Sequence, residues 1–458
     1  MFKRKTLSLI SLLLVLMMAI TACNINSTKI STDASSSLAT KAETKDGAAN
    51  VSNINPAGVL PIVKEKIELK VMIPSTASGV TKADAGFTKQ LEEKTNIHIN
   101  WEIVPDMKTT KPLLLASNDL PDVFNQASIT TEEAVIYGEK GVFIDVNPLI
   151  EKYGYWINNV TKYDPSWIRE STLPSRKIIG LPLYSATYHI FSTQKMWINY
   201  TWVNKLGLKM PNTTDEFYNL MKAFKNDDPN GNGVADEIPY SAMSYDLITF
   251  LMNSFIQGGG ATFTFVQPYG GKVDVTCNKD GYREGLKYLN KLYTEGLIDI
   301  EAFTQDGSLL KQKVERNTIG SVVSYAVQAF ASPESEAFRN YDPIEPLTGP
   351  TGLKTASYTG RPTIPNYWVI TSACKNPEAA FRLADYLYNE EIAHDMIHGI
   401  ENEAWRKAKE DEIGINGLPA RWATLEGYNK DTYHWGTSSP LFMTAEFRLS
   451  EVAASADD

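Results

Sequence analysis

One short segment limits the path of this chain more than any other, the run Asp228-Pro229-Asn230-Gly231-Asn232-Gly233-Val234-Ala235-Asp236-Glu237. It places oxygen-bearing side chains at alternate positions around a glycine turn. Ca²⁺ takes about six to eight oxygen ligands, and an EF-hand loop supplies them from alternate positions with glycine at position six. Counted from Asp228, these ligands are Asp228, Asn230, Asn232, the carbonyl of Val234 and Asp236, with Gly233 at the turn. The pattern predicts a calcium site.

The end of this loop differs from an EF-hand. Position twelve is Pro239, so the closing carboxylate has to come from Glu237, two residues earlier. A plain polar surface loop is the alternative, because Asp, Asn, Pro and Gly all favour turns for reasons unrelated to metal.

The first residues have the pattern of a targeting segment. Lys3, Arg4 and Lys5 precede an apolar run from Leu7 to Ile20, and Ile20-Thr21-Ala22-Cys23 ends in small residues. The apolar run is shorter than the roughly 20 residues that span a bilayer, which disfavours a retained membrane helix. We predict that residues 1–22 are a signal peptide that is removed. The cleavage site resembles the lipobox of bacterial lipoproteins, and this resemblance implies that Cys23 is lipidated.

Residues 23–66 contain few large apolar side chains and are predicted to form a flexible tether. The formal charge is −10, and removal of Lys3, Arg4 and Lys5 leaves −13 on the mature chain. Such an acidic surface argues against nucleic acid or anionic lipid as the partner. Cys277 and Cys374 remain in the body; they could pair, but two free buried thiols are the favoured interpretation.

Strand and helix patterns alternate along the body. Ile67, Leu69, Val71 and Ile73 have the period of a strand, residues 87–93 that of a helix, and residues 97–104 that of a second strand. This alternation predicts an α/β fold with a largely parallel sheet. Three later helices are indicated. A capping box at Thr213 and Glu216 starts the first, and an apolar stripe marks the second, at Tyr282, Leu286, Leu289 and Leu292. The third starts at Asn376-Pro377-Glu378, and its inward residues are Ala380, Leu383, Ala384 and Leu387.

Several blocks of the chain resemble extracellular solute-binding lipoproteins of bacterial ABC sugar transporters, in the family 1 group related to alginate-type oligosaccharide binders with a calcium loop. The blocks are Leu120-Pro121-Asp122-Val123-Phe124, Ile144 to Ile150, Ile179-Gly180-Leu181-Pro182, Leu206-Gly207-Leu208 with Pro211, Ala223 to Pro239, and Leu292 to Asp299. The resemblance implies two α/β lobes, a hinge crossed more than once, and a ligand cleft between the lobes. It also implies a monomer that is anchored by lipid outside the plasma membrane and delivers an oligosaccharide to permease subunits.

The same resemblance divides the chain into segments. The expected N-terminal lobe begins with residues 67–188, residues 189–367 form the C-terminal lobe, residues 368–425 return to the first lobe, and residues 426–458 rejoin the second. The crossings are expected near Tyr188–Phe191 and Tyr367–Thr371. Two departures from the family pattern stand out. Ile198 to Trp202 lacks the usual charges before the Leu-Gly block, and the sequence stops at Asp458 where relatives continue, so it is either a short variant or a fragment.

The predicted ligand site combines flat aromatic side chains with side-chain amides, as expected of a pocket for sugar rings. Tyr325 and Trp368 are predicted to stack against the sugar, Tyr184 and Tyr188 to face the cleft near the first crossing, and Asn125 and Gln126 to bind hydroxyl groups. Plain core packing is the alternative for each aromatic residue. In this interpretation calcium is structural and the protein is not an enzyme.

Rival functions have weaker support in the residues. His394-Asp395-Met396-Ile397-His398 resembles a zinc hydrolase motif, but Asp replaces the general base, and both histidines are expected on the solvated face of the helix. A surface glycosidase needs two carboxylates, which 54 acidic residues cannot exclude, while no Gly-x-Ser-x-Gly motif occurs. A sugar sensor or adhesin that binds without import is a further alternative.

Overall fold

The structure is a computed structural model that describes residues 53–75, 85–192, 194–243, 246–257, 266–269, 271–332, 334–358, 362–425 and 435–453. The predicted signal peptide, Cys23 and most of the predicted tether lie outside these residues. None of the helices in these ranges has both the length and the apolar character needed to cross a bilayer.

The strands form two main sheets and two small hairpin-like pairs. In chain order they are β1 (Ile67–Pro74), β2 (Ile97–Val104), β3 (Val123–Asn125), β4 (Gly180–Ser185), β5 (Lys195–Asn199), β6 (Ser241–Ala242), β7 (Val266–Tyr269), β8 (Lys272–Val275), β9 (Ser321–Ser324), β10 (Tyr341–Pro343), β11 (Thr363–Ile370), β12 (Trp405–Lys407), β13 (Trp422–Thr424) and β14 (Phe442–Met443).

The helices cover both main sheets. They are α1 (Gly86–Thr95), α2 (Met107–Ser117), α3 (Thr131–Glu139), α4 (Asn147–Tyr153), α5 (Ile157–Tyr163), α6 (Ser166–Ser171), α7 (Tyr188–Phe191), α8 (Tyr200–Lys205), α9 (Thr214–Asn226), α10 (Asp246–Met252), α11 (Asp280–Thr294), α12 (Gly307–Glu315), α13 (Pro377–Tyr386), α14 (Glu390–His398) and α15 (Ala445–Leu449), with 3₁₀ turns at Ile300–Phe303, Val327–Ala329 and Glu336–Arg339.

The first sheet has the order β14-β4-β11-β3-β1-β2. Strand β1 is parallel to β2 and β3, and β14 is parallel to β4, whereas β11 runs antiparallel between β3 and β4. The second sheet has the order β10-β5-β9-β6, in which only β6 and β9 are parallel. The predicted α/β class is confirmed, while a largely parallel arrangement holds for the first sheet only.

Local sequence signals account for several helices. Thr213 and Glu216 exchange the two hydrogen bonds of a capping box at the start of α9, and the apolar face of that helix is buried. Helix α13 begins at Pro377 as predicted, and its inward residues are fully buried. In α11, Leu289 and Leu292 are buried as predicted, whereas Leu286 is exposed.

Each main sheet has its own hydrophobic core. One pair of adjoining clusters surrounds the first sheet, and another pair surrounds the second. We refer to the first sheet with its helices as the first lobe, and to the second sheet with its helices as the second lobe. Both cysteines are free thiols as predicted; Cys374 is buried in the first lobe, but Cys277 is exposed, which corrects its predicted burial.

The chain crosses between the lobes at two described places. It leaves the first sheet after Ser185 and enters the second at Lys195, which agrees with the predicted crossing near Tyr188. The chain returns to the first lobe earlier than the predicted crossing near Tyr367. Leu347 still lies in the core of the second lobe, whereas Thr363 already pairs with β4. Residues 363–367 therefore belong to the first sheet.

The last described segment also corrects the predicted division. Strand β14 pairs with β4, and Trp435 and Leu441 are buried in the core of the first lobe. Parallel pairing at the free edge of β4 satisfies backbone groups that would otherwise be exposed, and it draws this segment to the first lobe instead of the second.

The predicted tether ends earlier than residue 66. Arg382, fully buried, donates to the carbonyls of Asn55, Pro56 and Val59 at 2.7–3.0 Å, and Ile62 is buried beside it. A buried guanidinium requires acceptors for its donors. The segment that begins at Asn53 is therefore held against the first lobe.

The two histidines of the candidate zinc motif lie in an aromatic cluster, which corrects the expectation that they are solvated. His394 is fully buried, with its ring centroid 4.3 Å from that of Trp405, 4.4 Å from that of Trp422 and 4.6 Å from that of His398. Both ring nitrogens of His394 lack a hydrogen-bond partner among the described residues. Burial, together with Arg448 and Arg421, lowers the pKa of His394 to about 3.

We expect His394→Phe to reduce the loss of stability on acidification. The ordinary pKa of 6.5 applies to the unfolded chain, which therefore binds the proton first, so the free energy of unfolding falls as pH drops below 6.5 towards 3. The contribution approaches about 1.4 kcal/mol per pH unit. Urea unfolding of both proteins at pH 8 and pH 5 measures it. At pH 8, where the histidine is uncharged in the folded and the unfolded chain, wild type and variant should have similar free energies of unfolding. If this free energy falls by the same amount in both proteins from pH 8 to pH 5, the prediction is wrong.

Candidate functional site

The carboxyl ends of the parallel strands converge at one edge of the first sheet. In open α/β sheets, ligands bind in the crevice outside this edge. Gln126 follows β3 directly, and the antiparallel strand β11 begins at the same edge. A cavity of about 370 Å³ opens there, lined by Gln126, Ser128, Thr130, Ile364, Asn366 and Tyr367 among others.

Three residues of this cavity have left-handed backbone conformations. The φ angles are 53° at Gln126, 50° at Ser128 and 54° at Asn366. Such angles are uncommon outside glycine and cluster at functional sites. At Asn366 the cause is a bulge, because the register of β11 against β4 shifts between Ile364 and Trp368.

Gly180 allows this bulge. A Cβ atom at Gly180 would lie 2.7 Å from the Cα of Asn366, closer than packed atoms tolerate. Only glycine permits this approach of the two backbones. The Ile-Gly-Leu-Pro block therefore shapes the cavity without reaching into it.

Two amide groups give the cavity its polarity. The side-chain oxygens of Gln126 and Asn366 are buried without a hydrogen-bond partner among the described residues. A buried acceptor left unpaired costs about 1–3 kcal/mol, so each of these oxygens favours a conformation in which it meets a donor.

The edge of the second lobe that the chain reaches first carries a second set of polar residues. The start of β5 and the ends of β6 and β9 share one edge, which the chain reaches directly from the first lobe. Lys195 donates to the carbonyl of Tyr325 at 3.0 Å, and the amide of Gln194 donates to Asp246 at 3.1 Å. Burial lowers the pKa of Lys195 and raises that of Asp246. Perturbed titratable groups of this kind mark candidate sites.

Aromatic side chains lie on the connections between the two edges. Tyr188 on the first connection is 67% exposed, and Tyr358 before the return is 66% exposed. The ring of Phe191 lies 5.4 Å from that of Tyr358, so the two connections are in contact. These polar edges and aromatic rings lie where the chain passes between the lobes, and we refer to this place, where the ligand cleft is predicted, as the cleft.

Three of the predicted ligand residues occupy places that suit a ligand. Tyr325 is 51% exposed at the end of β9, Tyr188 is exposed at the crossing, and Gln126 lines the cavity of the first lobe. Their contact with a ligand stays a prediction.

The other three predicted ligand residues are internal, which corrects their assignment. Trp368 and Tyr184 lie on central strands of the first sheet, where helices bury the side chains, and the hydroxyl of Tyr184 donates to Asp164 at 3.0 Å. Asn125 is fully buried and donates to the carbonyl of Ser438 and the hydroxyl of Ser439 at 2.7 and 2.9 Å. It fixes the segment before β14 against β3.

Sequence reasoning missed Gln194, Lys195, Asp246, Tyr358 and Asn366. No motif contains them. Gln194, Lys195 and Asp246 could have been found only from the rule that residues next to the carboxyl ends of parallel strands, and the chain segments that enter there, form ligand sites.

The predicted calcium loop is held by its own side chains. Asp228 accepts from the backbone N–H groups of Gly231, Asn232 and Gly233 at 2.9–3.1 Å. The side-chain amides of Asn230 and Asn232 donate to Asp236 at 3.0 and 3.1 Å. These contacts bring the oxygen-bearing side chains of the loop together around the glycine turn.

Glu237 lies beside the same carboxylates. Burial, and then the charges of Asp236 and Asp228, raise the pKa of Glu237. One of its carboxylate oxygens is buried without a hydrogen-bond partner among the described residues. No group of three or more His, Cys, Asp or Glu side chains in the described ranges has the arrangement of a metal site. Amide and backbone oxygens are three of the six predicted donors at the loop.

Comparison with known proteins identifies relatives. A family model for bacterial extracellular solute-binding proteins matches residues 74–394. The chain is 33% identical over 342 residues to the fructooligosaccharide ABC transporter substrate-binding protein FusA of Streptococcus pneumoniae serotype 4, which covers 72% of this chain and 63% of that protein. The chain thus spans less than two thirds of the length of this relative.

Solved structures agree with the fold. S. pneumoniae FusA in complex with kestose has a TM-score of 0.71 at 27% identity, over 84% of this chain and 80% of that one. A FusA EF-hand mutant in complex with fructo-nystose has a TM-score of 0.70 at 27% identity, over 86% and 81%. Alginate-binding protein AlgQ2 without calcium ion has a TM-score of 0.69 over 86% and 82%, and its 22% identity supports the fold alone.

Gln126 offers a test of the strained backbone in the cavity. Gln126→Gly is expected to be more stable than Gln126→Ala by about 1 kcal/mol, because both remove the side chain and only glycine relieves the left-handed φ angle. Thermal and urea unfolding measure the difference. At Lys140, where φ is −75°, the order should reverse. Equal stability of the two Gln126 variants would show that the backbone there is unstrained.

Proposed function

Because the chain belongs to the bacterial extracellular solute-binding protein family, we propose that it captures an oligosaccharide outside the cell and delivers it to the permease of an ABC importer. The observation that carries this proposal is that both polar strand edges lie where the chain passes between the lobes. A ligand that contacts both edges favours the state in which the lobes are closed about their connections. A permease can then distinguish the loaded protein from the empty one.

The chemistry of the cleft supports a sugar ligand. Exposed aromatic rings at Tyr188, Tyr325 and Tyr358 suit the apolar faces of sugar rings, while Gln126, Asn366 and Asp246 suit hydroxyl groups. Fructooligosaccharides are the first ligands to test, since the relative FusA is named for them. Binding of this kind requires no catalysis, so incubation with oligosaccharides should release no products.

Anchoring and assembly belong to the same proposal. A lipidated Cys23 would hold the monomer at the outer face of the plasma membrane. The acidic surface and the relatives' roles support this placement over a partner such as nucleic acid.

Calcium is proposed as a structural ion of the second lobe. Asp228, Asn230, Asn232, the carbonyl of Val234, Asp236 and Glu237 would hold it, because each amide can turn its oxygen towards a cation. When bound, the ion supplies positive charge among converging carboxylates. The raised pKa of Glu237 and its unpaired buried oxygen support this role.

Removal of calcium is expected to lower the melting temperature. Metal at one hundred times its Kd would add about 2.7 kcal/mol to stability by mass action. Differential scanning fluorimetry with EDTA and then with millimolar CaCl₂ measures the shift. Asp236→Asn and Glu237→Gln should reduce the response to calcium, whereas Asp227→Asn, one residue before the loop, should retain it. A wild-type protein that does not respond would rule out the site.

Substitutions in the cleft are expected to weaken sugar binding without loss of fold. Tyr325→Ala and Asp246→Asn should each reduce the affinity for kestose about five- to ten-fold, since one ring contact or charged hydrogen bond contributes about 1–1.5 kcal/mol. Isothermal titration calorimetry measures the affinity. Tyr293→Ala, on α11 away from the cleft and with similar exposure, is the matched control. If wild type binds kestose and both variants bind it equally well, the cleft is assigned to the wrong residues.

A further inference from the structure

A surface groove on the first lobe has no role in the cleft described above. It consists of two adjoining cavities of about 810 and 500 Å³ that share Asn159, Lys162, Glu390 and Arg421. Helix α5 forms one wall, and the start of α14 with Arg421 forms the other. We call it the flank groove.

The flank groove leads towards the crossing between the lobes. Its smaller cavity is lined by Phe442, Thr444 and Glu446, and the next cavity, of about 220 Å³, is lined by Ala445 and Tyr188. The hydroxyl of Tyr163 donates to Glu446 at 3.1 Å, and its ring lies 6.1 Å from that of Tyr184 at the end of β4. The inner end of the groove therefore adjoins the carboxyl edge of the first sheet.

One exposed tyrosine lies in each of the three successive cavities. Tyr155 is 54% exposed in the outer cavity, Tyr163 is 44% exposed in the middle one, and Tyr188 lies in the inner one. The ring of Tyr155 packs edge-on against Trp156 at 4.9 Å, which fixes its orientation. Burial and the hydrogen bond to Glu446 raise the pKa of Tyr163.

The polar residues between the tyrosines carry mixed charge. Asn158, Asn159 and Asn389 offer amides, Arg421 pairs with Glu390, and Lys162 has no ion-pair partner among the described residues. With Glu391 and Glu446, the lining holds two cations and three carboxylates. No single charge sign dominates, which favours a neutral ligand with many hydroxyl groups over an anionic one.

We propose that the flank groove extends the cleft and holds the outer units of a linear oligosaccharide whose inner end lies between the lobes. Aromatic rings at intervals with amides between them match a chain of sugar rings, each with an apolar face and a polar rim. The groove would select for chain length, since only ligands longer than the cleft reach Tyr163 and Tyr155. This inference rests on the proposed function, because the inner end of the ligand has to occupy the cleft.

The test compares short and long members of one series. Calorimetry of the full chain with kestose and with longer inulin-type chains, each at matched sugar concentration, gives the two affinities. Wild type is expected to bind the long chains more tightly than kestose. Tyr155→Ala should reduce affinity for the long chains about five-fold and leave kestose affinity unchanged, as expected for loss of one ring contact. Tyr155→Phe should restore binding of the long chains.

Controls separate this proposal from the proposed function. Tyr293→Ala, of similar exposure on the second lobe, should change neither affinity, and near-UV circular dichroism confirms the fold of each variant. If wild type binds kestose and long chains equally well, or if Tyr155→Ala weakens both alike, the groove is not a length-selective extension. If wild type binds neither kestose nor the long chains, the proposed function itself fails for fructans. A loss of the long-chain preference in Tyr155→Ala, with kestose affinity unchanged, supports the groove.

Discussion

The antiparallel pairing of β11 between β3 and β4 is the interaction on which the rest of the structure depends. It joins a segment from the last third of the chain to two strands from the first part. Without it, the first sheet would separate into two pieces, and the second lobe would be an appendage on a single connection. Because β11 is central, its side chains from Tyr367 to Ile370 are buried, and Trp368 is fully buried. The same strand bulges at Asn366, where Gly180 of β4 leaves room, and this bulge shapes the cavity of the first lobe.

Both connections between the lobes follow from this pairing. One leaves the end of β4 and the other arrives at the start of β11, so they lie at the same edge of the sheet. Two short connections in contact through Phe191 and Tyr358 can act as a hinge, because few residues have to change conformation while each core stays intact. The polar edge of the second lobe begins directly after the first of these connections. A binding site between two rigid bodies couples occupancy to their relative position, which is the property that a transport partner requires.

The parts of the fold that the sequence predicted are those with strong local signals. The alternation in β1, the capping box of α9 and the proline start of α13 each depend on residues within a few positions of one another. The loop from Asp228 to Glu237 is of the same kind, since its hydrogen bonds are formed within ten residues. The site was predicted less well because an aromatic residue near a crossing can face either the cleft or the core. Tyr188 and Tyr184 are four positions apart, yet one is exposed and the other is buried.

The sequence by itself determined the class of the fold, the position of the loop from Asp228 to Glu237 and the family. Each of these depends on short patterns or on blocks of residues that can be recognised without the structure. Only the tertiary structure decided which polar residues meet. Gln126 and Asn366 are 240 positions apart, and they share a cavity because antiparallel pairing brings the end of β3 beside the start of β11. The course of residues 435–443 was likewise decided by a free strand edge and by Asn125, contacts between segments more than 250 positions apart. Such contacts form only after the chain has folded back on itself, and no local pattern of residues encodes them.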